Sequence, residues 1–368
     1  MASGRDSSRE QVERTRKKIV TTVIRILLGV VFVFSALVKL IDPMGLAFKI
    51  GDYLSPEALD MAFLSPMAEN LSIALIALEL ILGLSLLLGR FKVFTLWTLF
   101  VLNSGFMLLT LYTALTGAVS DCGCFGDALP MGPWESFAKN VVICAMIVIL
   151  IAWQRFIKPV AGFRMSMSVV ALAFALVYGM SYYALHNEPI IDFRPYKVGV
   201  NIKEATSIPE DAQLPVYENR WVYEIDGKKH TFTDEDEPWN MLEARFVSRE
   251  SVLVKDGFRP AIENFMVMDI YGGDVTEYLL SMEDVYIILC YDYDEVDKSV
   301  WERVKSWAGS QTSPVWIVSN SSSERFSQVG LEQPVMYADP VMIKTIARSR
   351  PALVHLQGGT IVSKESIK

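Results

Sequence analysis

Five long apolar stretches dominate the first half of the chain, and each approaches the roughly 20 residues that a helix needs to cross a bilayer. A soluble core helix is rarely apolar on all sides over such a length, so the pattern predicts five membrane-spanning helices. The predicted spans are Ile19–Ile41, Leu71–Gly89, Val93–Gly117, Phe137–Trp153 and Met165–His186. A signal peptide fits the first stretch badly, because the stretch is long and further spans follow.

Beyond residue 186 the pattern becomes that of a soluble α/β fold. Residues 187–214 are rich in Pro and charge, which predicts a surface linker, and Asp226-Gly227 between two strand-like runs predicts a β-hairpin. Short apolar runs then alternate with helical patterns. The predicted strands are Phe265–Ile270, Val285–Tyr291, Val315–Val318 and Val335–Tyr337, the helices are Val275–Leu280, Lys298–Trp307 and Asp339–Arg348, and Ala352–Leu356 with Thr360–Ser363 forms a terminal hairpin.

The overall composition describes neither half of the chain. Of 368 residues 52% are hydrophobic, and the net charge is −8. Residues 1–186 hold 15 Lys and Arg against 12 Asp and Glu, whereas residues 187–368 hold 19 against 30. The acidic balance argues against a nucleic-acid partner, since no basic groove is available for phosphates. Four cysteines are too few for a fold built on disulfides.

The distribution of Lys and Arg among the connections predicts the orientation in the membrane. Residues 118–135 contain neither residue type, whereas the N-terminal arm is rich in both. Its basic residues are Arg5, Arg9, Arg14, Arg16, Lys17 and Lys18. We therefore expect a multi-pass protein of the inner membrane, surrounded by membrane lipid. Its N-terminus is predicted to be cytoplasmic and, after an odd number of spans, its acidic half periplasmic.

The strongest chemical signal is Cys122-Gly123-Cys124, on the third connection. The predicted topology exposes this pair to an oxidising compartment, where disulfides persist. A disulfide across one residue requires a bend that Gly123 permits, and the small strained ring favours thiol exchange. A passive disulfide, half of a metal site or a simple turn are the alternatives, although scarce His makes zinc a poor candidate. Cys144, in the fourth span, is a weaker candidate for a relay, or a packing residue.

Polar residues inside the spans form a second set of candidates, because they are costly there. Glu79 lies near the middle of the second span, at about the depth of Asn103. Arg25 could reach Glu79 if their helices pack side by side, or it could extend to the interface as we expect for Lys39. Glu79 is then either a proton-carrying or quinone-facing carboxylate, or a polar clasp between helices, which is the favoured interpretation.

The membrane half resembles DoxX/MauE-type proteins, most closely the MauE branch. The resemblance is carried by the stretch Arg25–Pro43, by Glu79 with Gly83, and by the Cys122–Gly126 turn, and it spans about residues 18–155. It implies a four-helix bundle in the inner membrane, related in architecture to vitamin-K-epoxide-reductase-like bundles. MauE is implicated in maturing the disulfides of the methylamine dehydrogenase light chain, and DoxX-type chains accompany thiosulfate:quinone oxidoreductases. The fifth span is an addition to this pattern.

The C-terminal part resembles thioredoxin-like proteins. Ile346–Thr360 is similar to the stretch that carries their cis-proline, at the position of Pro351, and Ile262–Gly272 is similar to the opening of thiol-peroxidase and TlpA-like relatives. The resemblance implies a thioredoxin-like domain over residues 255–368. The sequence departs from it in one respect, because no Cys-x-x-Cys follows the first core strand. Cys290, within that strand, is expected to be buried and inert, so the groove beside Pro351 is expected to bind a partner.

The predicted fold is therefore a membrane α-helical bundle followed by an α/β thioredoxin-like domain. Its segments are a basic arm (1–18), a four-helix bundle (19–156), a fifth transmembrane helix (165–186), a linker with a small β-rich region (187–254), and the thioredoxin-like domain (255–368). One functional hypothesis is a thiol–disulfide or quinone-linked oxidoreductase component that matures a periplasmic client, with quinone as the candidate cofactor and no metal. The other is a non-enzymatic membrane anchor whose outer domain binds a protein partner.

Overall fold

The computed structural model describes residues 2–56, 58–117, 119, 126–129, 131–241 and 244–367. Within this part of the chain five helices are long and apolar enough to cross a membrane, which confirms the predicted number of spans. The helices up to residue 186 are α1 (Ala2–Ile41), α2 (Pro43–Leu54), α3 (Ala68–Leu88), α4 (Lys92–Thr116), α5 (Pro133–Ala152) and α6 (Phe163–His186). All of these except α2 are the candidate spans.

Helix α1 is longer than the sequence pattern predicted. It begins at Ala2 and runs for 40 residues, so the basic arm is a continuation of the first span. The arm is polar and the span is apolar, but no glycine or proline interrupts the backbone between residue 5 and Gly29, and the helix therefore continues from one into the other.

The most extensive contact between the described helices of the bundle joins α1 and α3, and small residues let the two helices approach closely. A Cβ atom built on Gly83 would lie 3.0 Å from the backbone nitrogen of Val33. A Cβ atom on Gly29 would lie 2.5 Å from the side chain of Leu87. Helix α3 also contacts α2 and α6, while α4 packs mainly on α5.

Helix α2 was not predicted, and it lies at the end of the bundle where α1 finishes. Asp42 separates the two helices and caps α2, because its Oδ1 accepts a hydrogen bond from the backbone N–H of Gly45 at 2.9 Å. Pro43 occupies the first position of α2, where its missing N–H costs nothing. The same end of the bundle carries the start of α3 and the residues just beyond α4, and we call it the sheet-facing end.

Two β-sheets follow the fifth span. The elements are α7 (Ile202–Thr206), β1 (Val216–Ile225), β2 (Lys228–Phe232), β3 (Arg245–Lys255), α8 (Thr276–Ser281), β4 (Val285–Cys290), α9 (Lys298–Ser310), β5 (Val315–Ser319), α10 (Ser323–Gln328), β6 (Val335–Tyr337), α11 (Pro340–Ile346), β7 (Ala352–Gln357) and β8 (Thr360–Ser366). Strands β1 and β2 form the hairpin predicted at Asp226-Gly227, and β3 adds an unpredicted third strand to this sheet.

The second sheet has the order β6-β5-β4-β7-β8 and, with its helices, forms what we call the α/β unit (residues 276–366). Strands β4, β5 and β6 are parallel, whereas β7 runs antiparallel to β4 and to β8. Because side chains alternate along a strand, β4 serves two cores. Ile287 packs with α8 and α11 on one face, and Ile288 packs with α9 and α10 on the other.

Three predictions for this part were wrong. Residues Phe265–Ile270 form no strand, although Met268 makes single bridges to Asp274 and Tyr337. Helix α10 was missed, because its six residues are too few to show a helical period. The stretch taken as a surface linker contributes Tyr196 to the core of the α/β unit, where this side chain is 3% exposed.

The α1–α3 contact makes a direct test of the bundle. Gly83→Leu should lower the free energy of unfolding by about 1–3 kcal/mol, because the new side chain would overlap α1. Gly105→Leu is the matched control, since a Cβ atom on Gly105 of α4 meets nothing within 4 Å. Thermal unfolding in detergent micelles measures both variants, and an equal change in the two would contradict the packing described.

Candidate functional site at the junction of the bundle and the α/β unit

A buried ion pair joins α1 and α3 inside the bundle. Glu79 is 2% exposed, and the Nζ of Lys39 lies 2.7 Å from its Oε1 and 2.9 Å from its Oε2. Ser35 donates a hydrogen bond to the same carboxylate at 3.2 Å. Lys39 is 3% exposed, so the expectation that it extends to the membrane interface is wrong. This geometry is that of a polar clasp between helices, and each charge depends on the other to remain buried.

Arg25 does not meet Glu79. The carboxylate lies opposite Lys39, which follows Arg25 by 14 residues on the same helix. A rise of 1.5 Å per residue separates these two positions by about 21 Å. Arg25 instead donates to the carbonyl oxygen of Lys158 at 3.0 Å, at the opposite end of the bundle from the sheets.

Asn103 belongs to a different contact, so it forms no cluster with Arg25. Its side-chain amide donates to the backbone oxygen of Asn140 at 2.9 Å, and the Asn140 amide donates to the hydroxyl of Thr110 at 3.4 Å. All three groups are buried between α4 and α5. These hydrogen bonds join α4 to α5, just as the Lys39–Glu79 pair joins α1 to α3.

The cysteines have different environments. Cys122 and Cys124 lie outside the described residues. Cys144 is unpaired and partly buried, about three turns into α5. Cys290 is unpaired and fully buried in β4, and burial raises the pKa of its thiol to about 12. A thiol that stays protonated is a poor nucleophile, so Cys290 is unsuited to exchange.

One arginine of the α/β unit binds two separate segments at the sheet-facing end. The Nε of Arg348 donates to Asp42 at 2.8 Å, and its Nη2 donates to Asp127 at 2.8 Å. Its side chain is 6% exposed. Asp42 lies between α1 and α2, whereas Asp127 follows Cys124 by three residues in the sequence. We call these three residues the Arg348 bridge.

Aromatic and ionic contacts extend the same junction. Phe48 of α2 and Tyr291 pack edge to face with their ring centroids 5.5 Å apart, and the Tyr291 hydroxyl donates to the Arg348 carbonyl at 3.0 Å. The guanidinium of Arg350 lies 2.7 Å from the carboxylate of Glu69, at the start of α3. The loop before β7 is thereby held against both α2 and α3.

Glu188, just beyond α6, binds the same loop through its backbone. Its Oε1 accepts from the N–H groups of Arg348 and Ser349, at 2.8 and 2.9 Å, while its Oε2 accepts from Arg194 at 3.0 Å. Burial opposes ionisation of Glu188, but Arg194 and the Ser349 N–H outweigh it and lower the pKa of this carboxyl. A lowered carboxyl pKa means that Glu188 stabilises the junction at neutral pH and that this contribution is lost in acid.

The pKa of Asp127 is shifted in the opposite direction to that of Glu188. Burial raises the pKa of its carboxyl; Arg348 opposes this rise, and Asp42 adds to it. Removing the guanidinium would therefore leave two neighbouring carboxylates without their main cation. Arg348 therefore favours the ionised form of Asp127 against the effect of burial.

Partner binding was predicted for the groove beside Pro351; the loop that precedes Pro351 contacts the bundle of the same chain. Pro351 itself is buried, and its bond to Arg350 is cis.

Sequence reasoning missed Arg348, Asp42 and the pairing of Lys39. The available signals were two arginines beside the predicted cis-proline and a lysine within an apolar span. Among the described residues, no group of three or more His, Cys, Asp and Glu side chains could hold a metal ion.

The membrane part of the chain is similar to a known family. Residues 17–154 match the family described as Methylamine utilisation protein MauE. This match covers α1 to α5 and ends before α6, so it supports a MauE-type multi-pass membrane region and leaves the sheets uncovered.

One curated relative adds to this comparison. Protein TlpB of Flavobacterium psychrophilum is 29% identical over 142 residues, which are 38% of this chain and 38% of that protein. The chain thus spans well under half the length of this relative. No solved structure matches the chain.

The buried pair in the bundle can be tested by breaking and replacing it. Lys39→Met removes the ammonium that is hydrogen-bonded to the buried Glu79 carboxylate, and we expect it to lower the free energy of unfolding by about 3–5 kcal/mol. The double variant Lys39→Met/Glu79→Leu should recover most of this loss, because it leaves no buried charge. Unfolding in detergent micelles measures the cycle, and additive losses from the two single changes would contradict a coupled pair.

Proposed function

We propose that the protein is an inner-membrane component of thiol–disulfide exchange. In this proposal the Cys122-Gly-Cys124 turn oxidises the thiols of an exported client and passes the electrons to a quinone in the membrane. The N-terminus is cytoplasmic and the α/β unit periplasmic. The match to MauE proteins supports this class of function, and the concentration of Lys and Arg before the first span supports the orientation.

We infer a thioredoxin-like fold for the α/β unit. Its central strand β4 pairs in parallel with β5 and antiparallel with β7, which continues into β8. Pro351 directly precedes β7, the position that the sequence resemblance implies for the cis-proline. The unit has no Cys-x-x-Cys, so the thiols must come from elsewhere in the chain.

The Arg348 bridge is the observation that carries the proposal. It holds the loop before Pro351 against Asp127, and the three peptide steps from Cys124 to Asp127 can span at most about 11 Å. The bundle thereby supplies the cysteine pair, and the α/β unit supplies a surface beside it. This division of roles explains why a thioredoxin-like unit without a Cys-x-x-Cys pair is docked here.

The proposed reaction balances in two stages. A client thiolate attacks one sulfur of the Cys122–Cys124 disulfide, and a second client thiolate resolves the mixed disulfide. The client leaves with a new disulfide, and Cys122 and Cys124 remain as thiols. These thiols then lose two electrons and two protons to the quinone, which becomes a quinol, and the disulfide re-forms.

A membrane anchor without catalysis is the second candidate. Two observations favour it: Cys290 is a buried thiol with a raised pKa, and the loop before Pro351 is already occupied by the bundle. In this case the bundle fixes the α/β unit at the membrane surface, and another face of the unit recruits proteins. The Cys122–Cys124 turn then has only a structural role.

Trapping of thiols in intact cells separates the two candidates. We expect Cys124→Ser or Cys122→Ser to accumulate a mixed disulfide with an exported protein. The remaining thiolate can attack a disulfide of an oxidised client, and the missing neighbour can no longer displace that client. Rapid alkylation after acid quenching, followed by mass spectrometry, measures the trapped species. Quinone depletion should shift the wild-type pair from disulfide to dithiol.

Cys144→Ser is the matched control, and it should leave both readouts unchanged. The exchange function is wrong if neither Cys122 nor Cys124 is ever found in a mixed disulfide and their oxidation state does not change with quinone supply. That result would favour the function as a membrane anchor.

A further inference from the structure

An apolar cleft opens between α2, α3 and α4 in the half of the bundle nearest the sheets. Its volume is about 210 Å³. Leucine, isoleucine and aromatic side chains form most of its wall, and one lysine and one tyrosine add polar groups. Its main lining residues are Leu46, Lys49, Ile50, Tyr53, Phe106 and Leu109.

The cleft lies next to the segment that follows the cysteine turn. Leu46 and Lys49 also line a second, small cavity of about 20 Å³, whose other walls include Asp42, Gly126 and Asp127. A single layer of side chains from α2 therefore separates the cleft from the residues just beyond Cys124.

The buried ion pair of the bundle borders the cleft on its other side. Phe106 lines the cleft, and its ring centroid lies 5.7 Å from the Nζ of Lys39. A ligand in the cleft would thus lie between two groups of charges, Lys39 with Glu79 on one side and Lys49 on the other. Such charges in an apolar setting act strongly on a polar ligand atom.

We propose that this cleft binds the ring of a quinone, and that Lys49 is the residue that positions it. The proposal rests on the proposed function, which requires a lipid-soluble two-electron acceptor. A cavity of about 150 Å³ is enough to hold benzene, so this cleft accommodates a substituted single ring. The Lys49 ammonium has three donors, and one of them can bond to a quinone carbonyl oxygen while the others keep existing partners.

The location also favours a quinone over a water-soluble oxidant. The cleft is lined mainly by apolar side chains, and two of the helices that line it, α3 and α4, are candidate membrane spans. On reduction the two carbonyl oxygens gain charge and then protons, and an adjacent ammonium stabilises the charge as it develops.

Photolabelling of the full-length protein in lipid nanodiscs tests the cleft. The probe is an azido-substituted short-chain quinone, and mass spectrometry locates the labelled peptides. We expect label on α2 and α4 that unlabelled quinone displaces. Leu109→Trp should fill the cleft and weaken labelling by about tenfold or more. Leu108→Trp is the matched control, because Leu108 is 63% exposed on the same helix and should label as the wild type does.

Lys49→Met keeps the length of the side chain and should weaken labelling, with thermal unfolding of the same variant as the control for folding. Label outside these helices, label displaced by phospholipid alone, or equal labelling of the Leu109 and Leu108 variants would overturn the inference. The same labelling is carried out in Cys122→Ser/Cys124→Ser. Labelling that survives in this double variant, together with failure of thiol trapping in the single Cys→Ser variants, would preserve the cleft and reject the exchange function. Thiol trapping in the single variants without labelling of the cleft would preserve the exchange function and reject the cleft.

Discussion

A buried guanidinium has to be paired, and this constraint fixes how the two parts of the protein fit together. Arg348 reaches from the α/β unit to Asp42 and Asp127, which belong to different segments of the bundle. Arg194 also acts on Asp127, but Arg348 is the guanidinium that donates hydrogen bonds to both acids, and burial raises the pKa of the Asp127 carboxyl. Glu188 fixes the backbone of the same loop from the end of the fifth span. The α/β unit is thus docked by ionic contacts at three points of the membrane part.

The same rule orders the interior of the bundle. Lys39 and Glu79 hold α1 against α3, and the ring of Phe106 separates this pair from the cleft beside α2. Helix α2 is central to both arrangements, since Asp42 caps its start and Lys49 lies in its middle. The cleft, the buried pair and the docked loop consequently lie around one short helix, at the end of the bundle where Asp127 lies.

Local patterns in the sequence predicted much of the fold, but they could not predict which distant side chains pair with each other. Apolar length was sufficient for the five spans, and Asp226-Gly227 was sufficient for the hairpin. Glu79 was found because a carboxylate is conspicuous in an apolar span, but its partner depends on the register of two antiparallel helices. Arg348 and Asp42 are 306 residues apart, so no periodicity or motif connects them. Helix α2 was missed because it is short and follows the first span after a single residue.

Hydrogen exchange across the junction tests most directly whether the Arg348 bridge docks the α/β unit. Exchange of the full-length protein in nanodiscs would be followed by mass spectrometry for wild type, Arg348→Ala and Arg325→Ala. Arg325 is the control, because it forms an exposed ion pair with Asp294 in the same unit. We expect faster exchange for Arg348→Ala alone, confined to the loop before Pro351 and the start of α2. Unchanged protection of both segments in Arg348→Ala would contradict docking by the Arg348 bridge.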